Sequence, residues 1–165
     1  MKLSLNWLRE FVDVQLPVPE LARVLIDATA EVESWETIGA TWEPDKIRVA
    51  HVLSVEPHPN ADRLRLVTVD AGNGTQQVVC GAPNVAAGQK VAFATEGARL
   101  RDGHTGEPAV LKLRPIRGVD SAGMVLSERE LGLSDEHEGI LVLPGDAPVG
   151  APLVDVLGDV IFDIS

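Results

Sequence analysis

Four histidines (His51, His58, His104 and His137) and one cysteine (Cys80) are the residues that could ligate a soft metal ion, and they lie scattered, without zinc-ligand spacing. Asp135-Glu136-His137-Glu138 is a dense polar run, but consecutive residues rarely converge on one ion, so it reads as a solvated loop. Gly72-Asn73-Gly74-Thr75 lacks the Lys-Ser/Thr pair of a phosphate loop and opens no helix, so it reads as a tight turn. No serine sits in a nucleophile-elbow pattern. Cys80 closes the apolar run Val78-Val79-Cys80 and reads as a core filler with a shielded thiol. No catalytic constellation emerges.

What remains is chemistry by charge. The net charge of −11 argues against a non-specific nucleic-acid binder. Its distribution is uneven: residues 46–117 hold ten basic against six acidic side chains, whereas residues 118–165 hold Arg129 against ten acids. A mildly basic island therefore sits in an acidic chain. Solvated strand faces and a phosphate-facing patch both account for it, and both readings stay open.

At 165 residues and 45% hydrophobic content the chain can bury a real core, as one domain or two small ones. With one cysteine, no intrachain disulfide can form, which suits a reducing cytosol. No apolar run approaches membrane-spanning length and Met1-Lys2 leads into no signal-peptide core, so no membrane role and a cytoplasmic location are expected.

The elements that must carry these residues are mostly strands. Residues 47–56 alternate loosely and are rich in β-branched residues; Pro57-His58-Pro59-Asn60 breaks them; residues 63–70 alternate polar with apolar. Ala71-Gly72-Asn73-Gly74 supplies a hairpin turn and residues 76–80 return, giving an antiparallel meander. A fourth strand is expected over 90–94 and an exposed hairpin loop over 99–108. A further strand is expected over 110–114, where Pro115 bends it or marks an edge, with the sheet continuing over 118–126. Ser127-Glu128-Arg129-Glu130 has the form of a capping box, predicting a helix of one or two turns, followed by a buried strand over 140–143.

At the chain ends, residues 4–12 place Leu5, Leu8, Phe11 and Val12 at helical spacing. Pro17-Val18-Pro19-Glu20 opens a second helix with Leu21, Val24, Leu25 and Ala28 as its buried stripe, and residues 31–38 read as a strand. A short helical segment and a strand over 160–164 follow Leu153. Neither end has a core of its own, so 1–40 and 151–165 are expected to pack together as one small lobe, with a five-stranded barrel over 46–128 between them.

Three motifs carry a resemblance: His58-Pro59-Asn60-Ala61-Asp62-Arg63-Leu64, then Val79-Cys80-Gly81-Ala82-Pro83-Asn84, then Arg117-Gly118-Val119-Asp120-Ser121-Ala122-Gly123-Met124. Together they resemble the tRNA-binding OB-fold domain. With Met1-Lys2-Leu3-Ser4-Leu5-Asn6-Trp7-Leu8 ahead and Glu130-Leu131-Gly132-Leu133-Ser134-Asp135 behind, the whole chain is similar to the N-terminal part of the β subunit of bacterial phenylalanine–tRNA ligases. The resemblance implies an α+β chain: a five-stranded OB-fold β-barrel over 41–150 inserted into a small α/β lobe made of 1–40 and 151–165. It also implies a protein that continues well beyond Ser165. No catalytic residue is expected in this stretch. For the full enzyme the resemblance implies ATP and Mg as cofactors, and as partners tRNA and a catalytic α subunit in an α2β2 assembly.

OB-folds bind nucleic acid through one sheet face and its flanking loops, commonly by stacking bases on aromatic residues. Between Glu43 and Gly150 the only aromatic residue is Phe93, in an apolar strand. RNA contact is therefore expected through backbone charge and shape. The candidates are Arg63, Arg65, Lys112, Arg114 and Arg117, with Asn60 and Asn84 as loop donors. His58, Asn60 and Asp62 could equally fix their own loop. Two rivals stand beside the tRNA-recognition reading: a structural module that braces the subunit, and a free-standing tRNA-binding chaperone.

Overall fold

A computed structural model describes residues 1–28 and 31–165. In chain order the elements are β1 (Lys2–Ser4), α1 (Leu5–Arg9), α2 (Val18–Ala28), β2 (Val32–Ile38), β3 (Ile47–Pro57), β4 (Arg65–Asp70) and β5 (Thr75–Cys80). There follow β6 (Lys90–Ala94), β7 (Arg99–Arg101), β8 (Pro108–Val110), β9 (Met124–Val125), β10 (Val142–Leu143), α3 (Leu153–Leu157) and β11 (Asp159–Ile164). They divide into two compact units, 1–40 with 157–165 and 41–156. Residues 151–156 stay with the larger unit because the backbone N–H of Val49 donates to Ala151 O and Arg48 bridges Pro152.

The larger unit is a nearly closed barrel of five antiparallel strands. β3 is long enough to serve two neighbours: its first half pairs with β6 (Ile47↔Ala94 to His51↔Lys90) and its second with β4 (His51↔Asp70 to Pro57↔Arg65). The register shifts between Val52 and Ser54, a bulge that bends the strand from one partner to the other. β4 and β5 form the expected hairpin, with Gly72 and Gly74 at φ 93° and 109°. β9 joins the far edge of β6 through Phe93↔Val125 and Ala94↔Met124. The ring then closes between β5 and the run into β9 by side chain as much as by ladder: Ala122 N–H donates to Gln77 O (2.9 Å), and Val79 N–H donates to the Ser121 hydroxyl (3.0 Å). Alternate residues Val67 and Val69, with Val52, Val78, Val91 and Phe93, fill the interior and are essentially inaccessible to solvent. This order, closing β3-β4-β5-β9-β6 on β3, is that of an OB-fold.

Around the barrel several expectations shift. The strand expected over 110–114 lies earlier, in the β7–β8 hairpin (Arg99↔Val110, Arg101↔Pro108). Leu111 still exchanges bonds with Ala98 and Gly97, but the next inward N–H, that of Leu113, is taken by the Glu96 carboxylate, so no strand follows. The sheet does not run continuously over 118–126, and only Met124–Val125 joins it. The capping box does form, with Ser127 N–H on Glu130 Oε2 (2.7 Å) and Glu130 N–H on the Ser127 hydroxyl (3.3 Å). No helix grows from it: Gly132 turns left-handed (φ 75°) and Leu133 N–H returns to Glu128 O, ending the first turn at once. Of 140–143 only Val142–Leu143 is strand, on β6, with Val142 exposed.

The smaller unit is a three-stranded antiparallel sheet in the order β1-β11-β2, with the chain's last strand in the centre. Leu5, Leu21, Ala22, Phe162 and Ile164 are its buried core. The first helix is shorter than its apolar spacing suggested: Ser4 caps it by accepting from Trp7 N–H, and it ends before Phe11 and Val12, which are exposed. In α2 the buried face is Leu21 and Ala22, flanked by Leu25, rather than the expected stripe through Val24 and Ala28, both exposed. No helix among the described residues is long and apolar enough to cross a membrane.

Candidate nucleic-acid interface

The loop between β3 and β4 and the long connection between β6 and β9 border the two sides of an OB-fold's usual ligand face, and here they are tied to each other. His58, buried against solvent, donates from Nε2 to Ile116 O (3.0 Å) while its Nδ1 accepts from Asn60 N–H (3.0 Å). These two bonds require the neutral Nε2–H tautomer. Asn60 then donates its side-chain amide to Arg117 O (3.0 Å). Ile116 to Val119 is a tight reversal closed by Ile116 N–H on Val119 O (2.9 Å) and the reciprocal bond (3.2 Å), with Arg117 at φ 52° and Gly118 at 82°. Arg117 is the one non-glycine residue with positive φ among the described residues. A histidine and an asparagine from one loop thus position an arginine on the other.

The five predicted cations share a state. Arg63, Arg65, Lys112, Arg114 and Arg117 are all exposed, and none makes a side-chain hydrogen bond or ion pair among the described residues. Most of their basic neighbours are spent. Lys46 pairs with Glu43 (3.1 Å), Arg48 donates to Asp45 O, Lys90 to Gly145 O and Ala147 O, and Arg101 to Gly106 O. The Arg99 N–H, followed by the Lys46 side chain, holds the Glu43 carboxyl below its usual range. Arg65 lies across the sheet from Cys80 and Pro57, beside the loop that Asn60 ties to Arg117. Lys112 and Arg114 border a cleft shared with Ile116 and Val79.

Both asparagines brace loops, the role the sequence also allowed for Asn60. The Asn60 amide is consumed on Arg117 O, and Asn84 donates to Ile140 O (3.0 Å) and accepts from Ile140 N–H (2.9 Å), bracing another pair of loops. Cys80 is buried, and burial above all raises its thiol pKa, with the nearby Glu130 charge adding to the effect. Among the described residues no three of His, Cys, Asp and Glu come together as a metal-holding group. The sequence reading missed Arg101, His104 and His137, which border the same cleft as Lys112 and Arg114. Nothing in their spacing announces it, because the β7–β8 hairpin and the 127–137 turn bring them there.

Residues 47–152 match the family described as "Putative tRNA binding domain". The chain belongs to that family. It is 51% identical over 164 residues to the phenylalanine–tRNA ligase β subunit of Dehalococcoides mccartyi, covering 99% of this chain and 20% of that protein. It is 46% identical over 166 residues to the corresponding subunit of Rhodospirillum rubrum, covering 100% of this chain and again 20% of the relative. The similarity falls on the N-terminal region of these subunits, and the chain spans about a fifth of their length. A methionyl-tRNA-synthetase-related protein from Pyrococcus horikoshii matches in structure with TM-score 0.46 and 23% identity, over 64% of this chain and 86% of that one.

Proposed function

We propose that this chain is the non-catalytic N-terminal region of a phenylalanine–tRNA ligase β subunit, and that its barrel holds tRNA through Arg63, Arg65, Lys112, Arg114 and Arg117. The observation that carries the RNA reading is that these five exposed cations have no acidic partner within the described residues; four lie on the two loops braced to each other by His58 and Asn60, and Arg65 opens β4 beside them. Unspent cations on a fixed frame can neutralise phosphates, which position an RNA without reading its sequence. High identity to the β subunits over nearly the whole chain supports the wider reading. In that reading aminoacylation, with its ATP, Mg and α-subunit partner in an α2β2 assembly, belongs to the rest of a cytoplasmic enzyme.

Affinity of this chain alone is weak, because −11 of net charge opposes the phosphates that the cations attract. The expected tRNA Kd at physiological salt is at or above the ~10⁻⁴–10⁻⁶ M of non-specific binding. Changing Arg114 and Arg117 together to Ala is expected to make the log–log salt dependence of binding shallower by roughly one to two units, since each lost phosphate contact releases fewer counterions. Submicromolar binding contradicts the weak-binding expectation. An unchanged slope removes both arginines from the interface and favours the bracing reading, which the acidic net charge supports.

A further inference from the structure

Behind the cationic edge lies a cleft of about 600 Å³, within the roughly 300–1,000 Å³ of sites that take small organic groups. Its floor is apolar: Val79 of β5, Met124 of β9, Leu100 of β7, and Leu111, Leu113 and Ile116 from the connection that follows. Its border is cationic, with Arg101, Lys112 and Arg114 beside His104 and His137. Two carboxylates also border it, and both are engaged internally. Asp102 accepts from the backbone N–H groups of Thr105 (2.9 Å) and His104 (2.8 Å), which hold its carboxyl below the usual range. Glu130 accepts from the Ser127 N–H (2.7 Å) and hydroxyl (3.0 Å). Both stay charged, so Arg101, Lys112 and Arg114 against Asp102 and Glu130 leave the border one positive charge in excess, and neither carboxylate is ion-paired with Lys112 or Arg114 among the described residues.

An apolar floor with free cations at its edge suits a ligand with a flat, poorly hydrated body and an anionic tail. We propose that the cleft receives one unstacked nucleobase of a bound RNA, with the adjoining phosphate on Lys112 or Arg114. The proposal rests on the RNA-binding reading above and adds where a base leaves water. Phe93 and Trp42, the aromatics of the larger unit, are 1% and 5% exposed and offer no platform, so among its described residues there is no exposed Phe, Tyr or Trp of the kind that single-strand binders stack bases on. Aliphatic walls, the free Arg114 guanidinium plane and the His104 and His137 rings at the border are left to hold a splayed-out base. The polymer, rather than a free nucleotide, is favoured by the continuation of the charge. Lys112 and Arg114 lead along the chain to Arg117, which the Asn60 brace fixes against the β3–β4 loop.

The test uses a tRNA transcript with 4-thiouridine in place of uridine, irradiated on the 165-residue chain, with crosslinked peptides mapped by mass spectrometry. Crosslinks are expected within 100–116 and at Met124. Ala109→Phe, which fills the cleft from β8, is expected to abolish them and weaken tRNA binding about five- to tenfold, the loss of one base contact. It should leave the salt slope unchanged, because no phosphate contact is removed. A circular-dichroism melt checks that the variant folds; Leu113→Ala, which widens the cleft without filling it, is the second variant and should lose crosslink yield at that peptide. Crosslinks confined to the Arg63–Arg65 and Arg117 peptides, with binding intact, overturn the cleft while leaving the RNA reading standing. Absence of any salt-dependent tRNA binding overturns both. Competition by uridine monophosphate at the concentration where tRNA saturates overturns the polymer assignment.

Discussion

Arg117 holds two properties in one residue: a charge with no ion-pair partner among the described residues, and a backbone in the left-handed region at φ 52°, which costs a residue with a β-carbon about 1–2 kcal/mol. With Gly118 it occupies the two central positions of a type I′ arrangement, where Asn-Gly is the favoured pair. Arg117→Asn is therefore expected to stabilise the chain by about 0.5–1 kcal/mol in urea unfolding. The same change should make the tRNA salt dependence shallower by about one unit, because the cation is gone. Stabilisation without a change of slope would make Arg117 a turn residue only. The cation was legible in the sequence, and its strain was not, because the turn type depends on where Ile116 and Val119 pair. The braces were hidden for a similar reason. An asparagine's composition says that its amide will be used, but not that Asn60 will find Arg117 O, 57 positions away, or that Asn84 will find Ile140.

At the scale of elements, the meander and the fourth strand could be read directly, since Val-rich alternation bounded by proline and glycine leaves few alternatives. β6 occupies the residues that its pattern predicts. Two of the misplaced strands share a cause: a side chain takes the place of a backbone partner. Glu96 takes the N–H that would have extended the strand past Leu111, and Ser121 substitutes for a ladder partner where β5 meets the approach to β9. Ser121 also donates to Gly123 O (2.8 Å), fixing the point where the barrel closes. A Cβ at Gly123 would collide with Ala94 O and lie 2.5 Å from the Phe93 ring, so the closing segment cannot hold its place with a larger residue unless something shifts. Gly123→Ala is expected to destabilise the chain by about 1–3 kcal/mol. Gly145→Ala meets nothing within 4 Å and should stay within about 0.5 kcal/mol. Equal stabilities in a thermal melt would show that the seam yields without cost.

At the scale of the whole molecule, charge and chain closure meet in the smaller unit. Its central strand is the last in sequence, and the first residues join it: Ile164 N–H donates to Met1 O, and Lys2 Nζ donates to Asp163 (3.1 Å), with the terminal ammonium 3.6 Å from the same carboxylate. The Lys2 hydrogen bond, aided by the charges of Lys2 and the N-terminus, holds the Asp163 pKa below the usual aspartate value. A carboxyl with a lower pKa folded than unfolded binds fewer protons in the folded state. Its contribution is therefore fully present above the ordinary aspartate value of about 3.9 and is lost as pH falls through the lower, folded value. Asp163→Asn should accordingly be less stable than the parent at neutral pH, with the gap narrowing below about pH 4 and closing in stronger acid. Because the pair is exposed, raising the salt concentration should narrow the gap at neutral pH as well. Urea unfolding of both chains across that pH range decides the matter: a gap that persists undiminished in acid would mean that the asparagine disturbs packing between β1 and β11, and that the charge joining the chain ends contributes nothing.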